Sequence, residues 1–85
     1  MAYTVEFSRA GARDFRALAG DVKTRVASRI DGLARDPRPP GVKKMRGEDR
    51  TYRIRVGDHR IIYEIHDQVL IVLVVRVRHR RDAYR

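Results

Sequence analysis

The sequence has no cysteine, no tryptophan and only three histidines. Without cysteine the chain can form neither a disulfide framework nor a thiolate metal site. His59, His66 and His79 lack the helical spacing of a zinc-binding pair, so we expect neither a metal nor another cofactor. The longest apolar run, residues 69–75, is far shorter than the ~20 residues that a membrane-spanning helix needs.

An export signal is also lacking. Residues 1–7, Met-Ala-Tyr-Thr-Val-Glu-Phe, carry an acid where a signal peptide requires an apolar run. We therefore expect a cytoplasmic protein with no membrane partner. A chain of 85 residues can build one modest hydrophobic core, which predicts a single domain over residues 1–85.

Negative charge is scarce relative to positive charge. Eleven acids stand against 20 lysines and arginines, which gives a formal net charge of +9. Twelve of the basic residues lie in residues 43–85, and five arginines fall in the last ten residues. Arginine outnumbers lysine by 17 to three. Because the planar guanidinium group binds phosphate through two hydrogen bonds, this composition predicts a polyanionic partner.

The N-terminal half predicts a strand followed by two helices. Residues 3–7 alternate between apolar and polar, as in a strand. Ser8 is a suitable N-cap for a first helix, Gly20-Asp21 begins a second, and Asp36-Pro37 ends it. Both helices have an apolar side, so we expect an antiparallel helical hairpin packed on a sheet. Its apolar positions are Ala12, Phe15, Leu18, Ala19, Val22, Val26, Ile30 and Leu33.

The C-terminal half predicts strands. Residues 52–56 alternate, Gly57-Asp58 forms a two-residue turn, and residues 60–66 return. Asp67-Gln68 is a second turn, and residues 69–77 are apolar on both faces, as in a central strand. A short strand is expected near residues 42–45. The predicted fold class is therefore α+β, with the N-terminal strand and helical hairpin on a mainly antiparallel twisted sheet of four to five strands.

The hairpin register brings basic side chains together. A two-residue turn at residues 57–58 sets Arg55 opposite Arg60 and Arg53 opposite Ile62. Directly opposed like charges destabilise a strand pair, and a bound anion between them would offset this cost. We interpret Arg53, Arg55 and Arg60 as a phosphate cradle. The alternative is a solvated strand face without function.

Further candidate RNA-binding residues flank this cradle. They are Lys43, Lys44 and Arg46 before it and Arg81 in the tail. The tail sequence His-Arg-Arg-Asp-Ala-Tyr, residues 79–84, adds an aromatic ring, and single-stranded RNA is commonly bound by stacking its bases on such rings. His79 is the only histidine in this charge cluster. Histidine is the side chain best suited to transfer protons near neutral pH.

The order and spacing of these segments resemble the RelE-type toxins of bacterial and archaeal toxin–antitoxin modules, part of the RelE/ParE superfamily. The resemblance covers nearly the whole chain. Its specific segments are Arg46-Gly47, residues 52–65 (Tyr-Arg-Ile-Arg-Val-Gly-Asp-His-Arg-Ile-Ile-Tyr-Glu-Ile), residues 74–77 (Val-Val-Arg-Val) and residues 79–84.

The resemblance implies an endoribonuclease that cleaves mRNA, typically in the ribosomal A site, without a metal. A ribose 2′-OH attacks the neighbouring phosphate and leaves a 2′,3′-cyclic phosphate and a 5′-OH. By position in the motifs, Tyr84 would stack on or orient a base. The residues that would bind phosphates and neutralise charge are Arg46, Arg53, Arg55, Arg60 and Arg80.

The chain departs from the usual pattern in two places. Arg53 and Arg55 stand where lysines are frequent, and Arg78 stands where glycine is frequent. Arginine cannot give up its proton, whereas a lysine of depressed pKa can. Proton transfer must therefore pass to another group. Our hypothesis is that His79 carries it, and Tyr84 is the competing candidate because surrounding arginines favour a phenolate.

Two other functions remain open from the sequence. A ParE-type toxin, which poisons DNA gyrase, would share the fold, and basicity alone also fits a non-catalytic nucleic-acid-binding module. A toxin of either kind implies a partner, an acidic RelB-like antitoxin. We expect it to wrap around the basic face and the apolar face of the last strand at Ile71, Leu73 and Val75.

Overall fold

Five strands form one sheet in the order β1-β5-β4-β3-β2. The computed structural model describes residues 2–81. The strands are β1 (Thr4–Phe7), β2 (Lys43–Lys44), β3 (Thr51–Val56), β4 (His59–His66) and β5 (Ile71–His79). Helices α1 (Arg9–Arg16) and α2 (Gly20–Arg35) connect β1 to β2. β1 runs parallel to β5 and the other neighbours are antiparallel, which confirms the predicted α+β fold.

Helix α1 lies directly on the backbone of β5. Ser8 is its N-cap, as predicted, and the Ser8 hydroxyl accepts a hydrogen bond from the Gly11 amide at 2.9 Å. The same hydroxyl donates to the Val75 carbonyl at 2.8 Å, so one side chain joins the helix start to the sheet. Gly11 has no room for a side chain, because a Cβ atom there would overlap the Val74 carbonyl oxygen.

The hydrophobic core lies between α2 and one face of the sheet. Val26, Ile30 and Leu33 of α2 are buried against residues of β3, β4 and β5. Tyr63 is completely buried, and its hydroxyl donates to the Pro37 carbonyl at 2.7 Å, which fixes the start of the connection to β2. Burial raises the pKa of Tyr63. We call the opposite side of the sheet the open face. No helix in residues 2–81 is long and apolar enough to span a bilayer.

The last strand differs from its prediction at the start. Residues 67–70 form a longer turn, and β5 begins at Ile71 rather than at residue 69. Leu70 has a φ of 55°, a left-handed conformation that costs a non-glycine residue about 1 kcal/mol. The turn is held at both ends. The Thr4 amide donates to the Leu70 carbonyl at 2.8 Å, and Asp67 accepts hydrogen bonds from Arg38 and Tyr3, which lower the pKa of Asp67.

A β-bulge interrupts the pairing of β4 with β5. Tyr63 pairs with Val74, but Ile62 pairs with Arg76, so Val75 has no partner in the ladder. The expected apolar residues Ile71, Leu73 and Val75 alternate with the buried Val72 and Val74, and a charged residue, Arg76, follows them directly. Because the register shifts by one residue, Arg76 takes the position across from Ile62 that simple alternation would assign to Val75.

Candidate nucleic-acid interface

Two rows of basic side chains cross the open face of the sheet. In the first row Arg55 pairs with Arg60, which pairs with Arg78. This confirms the predicted hairpin pairing. In the second row the register runs through Lys43, Arg53, Ile62 and Arg76. Adjacent strands lie about 4.8 Å apart, so these cations are held close together by the backbone itself.

The phosphate cradle borders a concavity of about 330 Å³. Its lining includes Arg53, Arg55 and Arg60, and Lys43 from the neighbouring strand completes it. Arg55 is exposed, whereas Arg53 and Arg60 are half-buried. A phosphodiester in this concavity would meet guanidinium groups from two strands. Their backbone positions are fixed by the sheet before any ligand arrives, which lowers the entropy cost of binding.

Arg76 is tied to the fold by an acid. Its Nε donates to Asp14 at 2.8 Å, and the Val77 amide donates to the same carboxylate oxygen at 3.0 Å. Partial burial opposes ionisation of Asp14, but these two hydrogen bonds outweigh it and lower the pKa of Asp14. Helix α1 thereby neutralises one cation at the edge of the open face. Arg76 is therefore better suited to holding α1 against β5 than to binding a ligand.

The other predicted RNA-binding residues are spread around the cradle. Lys44 pairs with Tyr52, so by strand alternation it belongs to the helix-covered face. Lys43 pairs with Arg53 and belongs to the open face. Arg46 is exposed in the turn after β2. Arg80 and Arg81 are exposed beyond β5, and the Arg80 amide donates to the Asp58 carbonyl at 2.7 Å. The backbone of Arg80 therefore lies next to the turn that joins β3 to β4.

His79 lies on the other side of the sheet from the cradle. It pairs with His59, and its ring lies edge-on to the His59 ring at 5.1 Å between centroids. Both follow the parity of the buried pair Ile61 and Val77, whereas Arg60 follows the opposite parity. The expectation that His79 lies among the cradle arginines is therefore wrong, because the register turns it away. Tyr84 lies outside the described residues.

Sequence reasoning missed four charged residues on the open face. Arg76 and Arg78 were hidden by the bulge, which no local pattern signals. Glu64 and His66 continue the alternation of β4 that begins at Arg60, so the parity of this strand could have identified them. His66 Nε2 lies 2.8 Å from Glu64 Oε1, and His66 Nδ1 lies 3.3 Å from Arg50. This pair is half-buried and stands on the same face as the cradle.

The comparisons with known proteins agree with this architecture. The profile of the family described as ParE toxin of type II toxin–antitoxin system, parDE, matches residues 5–84. The toxin RelG of Mycobacterium tuberculosis is 35% identical over 86 residues, which cover 100% of this chain and 99% of that protein. The mRNA interferase RelE of Shigella flexneri is 26% identical, with 99% of this chain and 92% of that protein covered.

A solved structure shows the same fold in a complex. It is the toxin–antitoxin complex RelBE2 from Mycobacterium tuberculosis. One of its chains superposes with a TM-score of 0.82 and 32% identity, covering 94% of this chain and 100% of that chain. The correspondence is nearly end to end, so the sheet that carries the two basic rows is the shared scaffold.

Proposed function

Because the chain belongs to the RelE-type toxins of the RelE/ParE superfamily, we propose that it is a type II toxin that cleaves mRNA. The observation that carries this proposal is the paired register of Arg55, Arg60 and Arg78, with Arg53 in the adjoining row. The strand register holds these guanidinium groups close together, so one phosphodiester can contact several of them at once. The relatives named above support the same activity.

The proposed reaction is attack of a ribose 2′-OH on its own 3′-phosphate. A P–O bond forms to the 2′-oxygen, the P–O bond to the 5′-oxygen breaks, and the products carry a 2′,3′-cyclic phosphate and a 5′-OH. Negative charge accumulates on the phosphate oxygens as the new bond forms. Arg53, Arg55 and Arg60 supply fixed positive charge where it develops, since guanidinium groups stay protonated throughout.

The reaction also needs one proton removed and one delivered. Arginine performs neither transfer, so another group must. His79 and Tyr84 are the candidates from the sequence, and the register argues against His79. Glu64 is a further candidate proton acceptor on the open face. His66 contacts the Glu64 carboxylate, and Arg50 contacts the other ring nitrogen of His66. We propose that the proton carriers come from the cradle side of the sheet, which substitution of each residue can test.

A RelB-like antitoxin is the proposed protein partner, and mRNA in the ribosomal A site is the proposed substrate. The superposed structure is a toxin–antitoxin complex, and the high positive charge of this chain favours an acidic inhibitor. A ParE-type gyrase poison is the second candidate, favoured by the description of the matching family profile. We favour RNA cleavage because the paired arginines across β3, β4 and β5 concentrate positive charge at one place on the sheet, where it could stabilise the charge that develops on one scissile phosphate.

The direct test is to add purified protein to ribosomes programmed with a defined mRNA and to map the new ends. We expect 5′-OH ends that polynucleotide kinase can label and 3′ ends that resist ligation until the cyclic phosphate has been opened and the resulting phosphate removed to leave a 3′-OH. The same RNA without ribosomes reports whether the ribosome is required. A separate assay measures DNA supercoiling by purified gyrase in the presence of the protein. Intact mRNA with and without ribosomes, together with inhibited supercoiling, would instead support the second candidate.

A further inference from the structure

A second concavity, of about 400 Å³, lies between α2 and the end of β3. It forms because β2 pairs only with Tyr52 and Arg53, so Arg55 and Val56 have no β2 partner. The opening is framed by α2 on one side and by the connection at Pro39 on the other. Its lining is Arg25, Ser28, Arg29, Gly32, Leu33, Pro39, Arg55 and Val56.

Two arginines of α2 line this concavity. Arg25 and Arg29 are four residues apart and so lie on one side of α2, where two like charges repel each other. Neither guanidinium makes a hydrogen bond or ion pair within residues 2–81. Arg25 lies close to the turn at Gly57. A Cβ atom on Gly57 would be 3.2 Å from the Nη1 atom of Arg25. Both side chains are therefore available to an anion from outside.

Gly32 keeps the concavity open. Glycine inside a helix costs roughly 0.5–1 kcal/mol relative to alanine. No packing contact requires it here, because a Cβ atom at Gly32 would have no heavy atom within 4 Å. The space that a side chain would occupy is the concavity itself. Below it, Leu33 is buried with 1% exposure, and Pro39 and Val56 provide further apolar surface.

Arg55 lines both concavities, so the two meet at the edge of β3 beyond the end of β2, where a strand of RNA can pass from the open face towards α2. We propose that the second concavity binds a nucleotide of the single-stranded RNA that flanks the scissile phosphate. The flanking phosphate lies on Arg25 and Arg29, and the base or ribose lies against Pro39 and Val56. A positively charged groove that follows the backbone is a common feature of sites for single-stranded RNA, and here Pro39 and Val56 provide the apolar contact for a base. This inference rests on the proposed function, since it extends the same RNA path.

The test measures binding of uncleavable RNA by fluorescence anisotropy. The probes are a 2′-O-methyl dinucleotide, which fits the cradle alone, and a 2′-O-methyl hexanucleotide, which is long enough to reach beyond it. In the double variant Arg25→Gln/Arg29→Gln we expect hexanucleotide affinity to fall about tenfold. The slope of log affinity against log salt concentration should become less steep by about 0.7 for each lost phosphate contact. Dinucleotide affinity should be unchanged.

Two controls separate the site from charge in general. The variant Arg16→Gln/Arg35→Gln removes the same charge from exposed positions outside both concavities and should leave the ratio of the two affinities unchanged. Gly32→Phe fills the concavity and should weaken hexanucleotide binding without loss of charge. Thr24→Phe adds the same ring to an exposed position of α2 outside the concavity and should not.

Each outcome has a definite meaning. If wild-type protein cleaves RNA but the Arg25/Arg29 and Gly32→Phe variants bind the hexanucleotide normally, the inference is wrong and the proposed function stands. If those variants bind RNA normally but lose affinity for an acidic antitoxin peptide, the concavity serves a protein partner and the inference is again wrong. If wild-type protein neither binds nor cleaves RNA, the proposed function itself fails.

Discussion

Arg60 is the central residue of the first basic row, which makes it the sharpest single test of the proposed phosphate cradle. Its ladder neighbours are Arg55 on one side and Arg78 on the other. We expect Arg60→Ala to lower single-turnover cleavage about 10²–10³-fold, because a charge contact made in the transition state is lost. Its free energy of unfolding should change by no more than about 1 kcal/mol, because Arg60 is only half-buried near the start of β4. Arg80→Ala should also impair cleavage while leaving the fold intact.

The matched control is Arg35→Ala, which removes an exposed arginine from the last turn of α2. Cleavage by this variant should equal that of the wild type, and urea unfolding checks stability in all three proteins. Wild-type activity in both Arg60→Ala and Arg80→Ala would show that the phosphate lies elsewhere.

Proton transfer can be assigned with the pair His79→Gln and Tyr84→Phe. The ladder sets His79 beside His59, across the sheet from Arg60, so we expect His79→Gln to keep most of the cleavage rate. Tyr84→Phe keeps an aromatic ring for stacking but loses the hydroxyl, and we expect a loss of about 10²-fold or more if that hydroxyl moves a proton. Rates against pH on programmed ribosomes measure both. A large loss in His79→Gln alone would restore the sequence-based hypothesis.

The strand register of the cradle residues could be predicted because its determinants are local. Gly57-Asp58 fixes the hairpin register, and the register fixes which of Arg53, Arg55 and Arg60 are opposed. Arg76 and Arg78 could not be added in the same way, since their face depends on the unpaired residue Val75. Arg25 and Arg29 depend on how α2 crosses the sheet, which no periodicity encodes.

At the scale of elements, the contact of α1 with β5 depends on a glycine. We expect Gly11→Ala to destabilise the protein by about 3 kcal/mol, because the new methyl group would overlap the backbone of Val74 and push the helix away. Gly32→Ala is the matched control on α2. It meets no atom within 4 Å and should stabilise by about 0.5–1 kcal/mol. Urea unfolding of both variants measures the contrast, and equal effects would show that α1 does not pack closely.

Asp14 gives the same contact a pH dependence. Its pKa is lowered in the folded chain below the ordinary value of 3.8, so the ionised carboxylate stabilises the fold at neutral pH. That contribution is lost as pH falls below 3.8 and through the folded pKa. We expect Asp14→Asn, which can still accept from the Val77 amide, to cost about 1 kcal/mol at neutral pH. The difference from wild type should shrink as the acid is titrated.

Urea unfolding curves for wild type and Asp14→Asn across the acidic range measure this difference. Asp31→Asn, at an exposed position of α2, is the control and should show no comparable change. A constant difference at every pH would mean that Asp14 acts by packing rather than by charge.

Element boundaries were predictable where one residue type decides them. Ser8 caps α1 and Asp36-Pro37 ends α2, as the sequence indicates. The turn before β5 was not, because Leu70 adopts a left-handed conformation held by contacts from β1 and from Arg38 to Asp67. Those contacts join segments far apart in sequence. The parallel pairing of β1 with β5 has the same long-range origin.

At the scale of the whole molecule, the net charge of +9 and the basic rows on one face are expected to speed encounters with polyanions. Such a field does not distinguish mRNA from DNA or from an acidic protein. Discrimination must come from the few residues that surround one phosphate. Expression of the chain without an antitoxin can distinguish these targets, because RNA cleavage stops protein synthesis first and gyrase inhibition changes DNA supercoiling first.

We expect expression of the chain alone to arrest growth by stopping protein synthesis. Pulse labelling should show that incorporation of amino acids falls before plasmid supercoiling changes, because cleaved mRNA removes the template directly. Expression of Arg60→Ala provides the control, since it preserves the fold and most of the charge while removing one cradle arginine, and synthesis should then continue. Loss of supercoiling with intact amino-acid incorporation would reject RNA cleavage. The paired arginines would then have to act on gyrase, and their opposition across β3 and β4 would need an acidic protein surface rather than a phosphate.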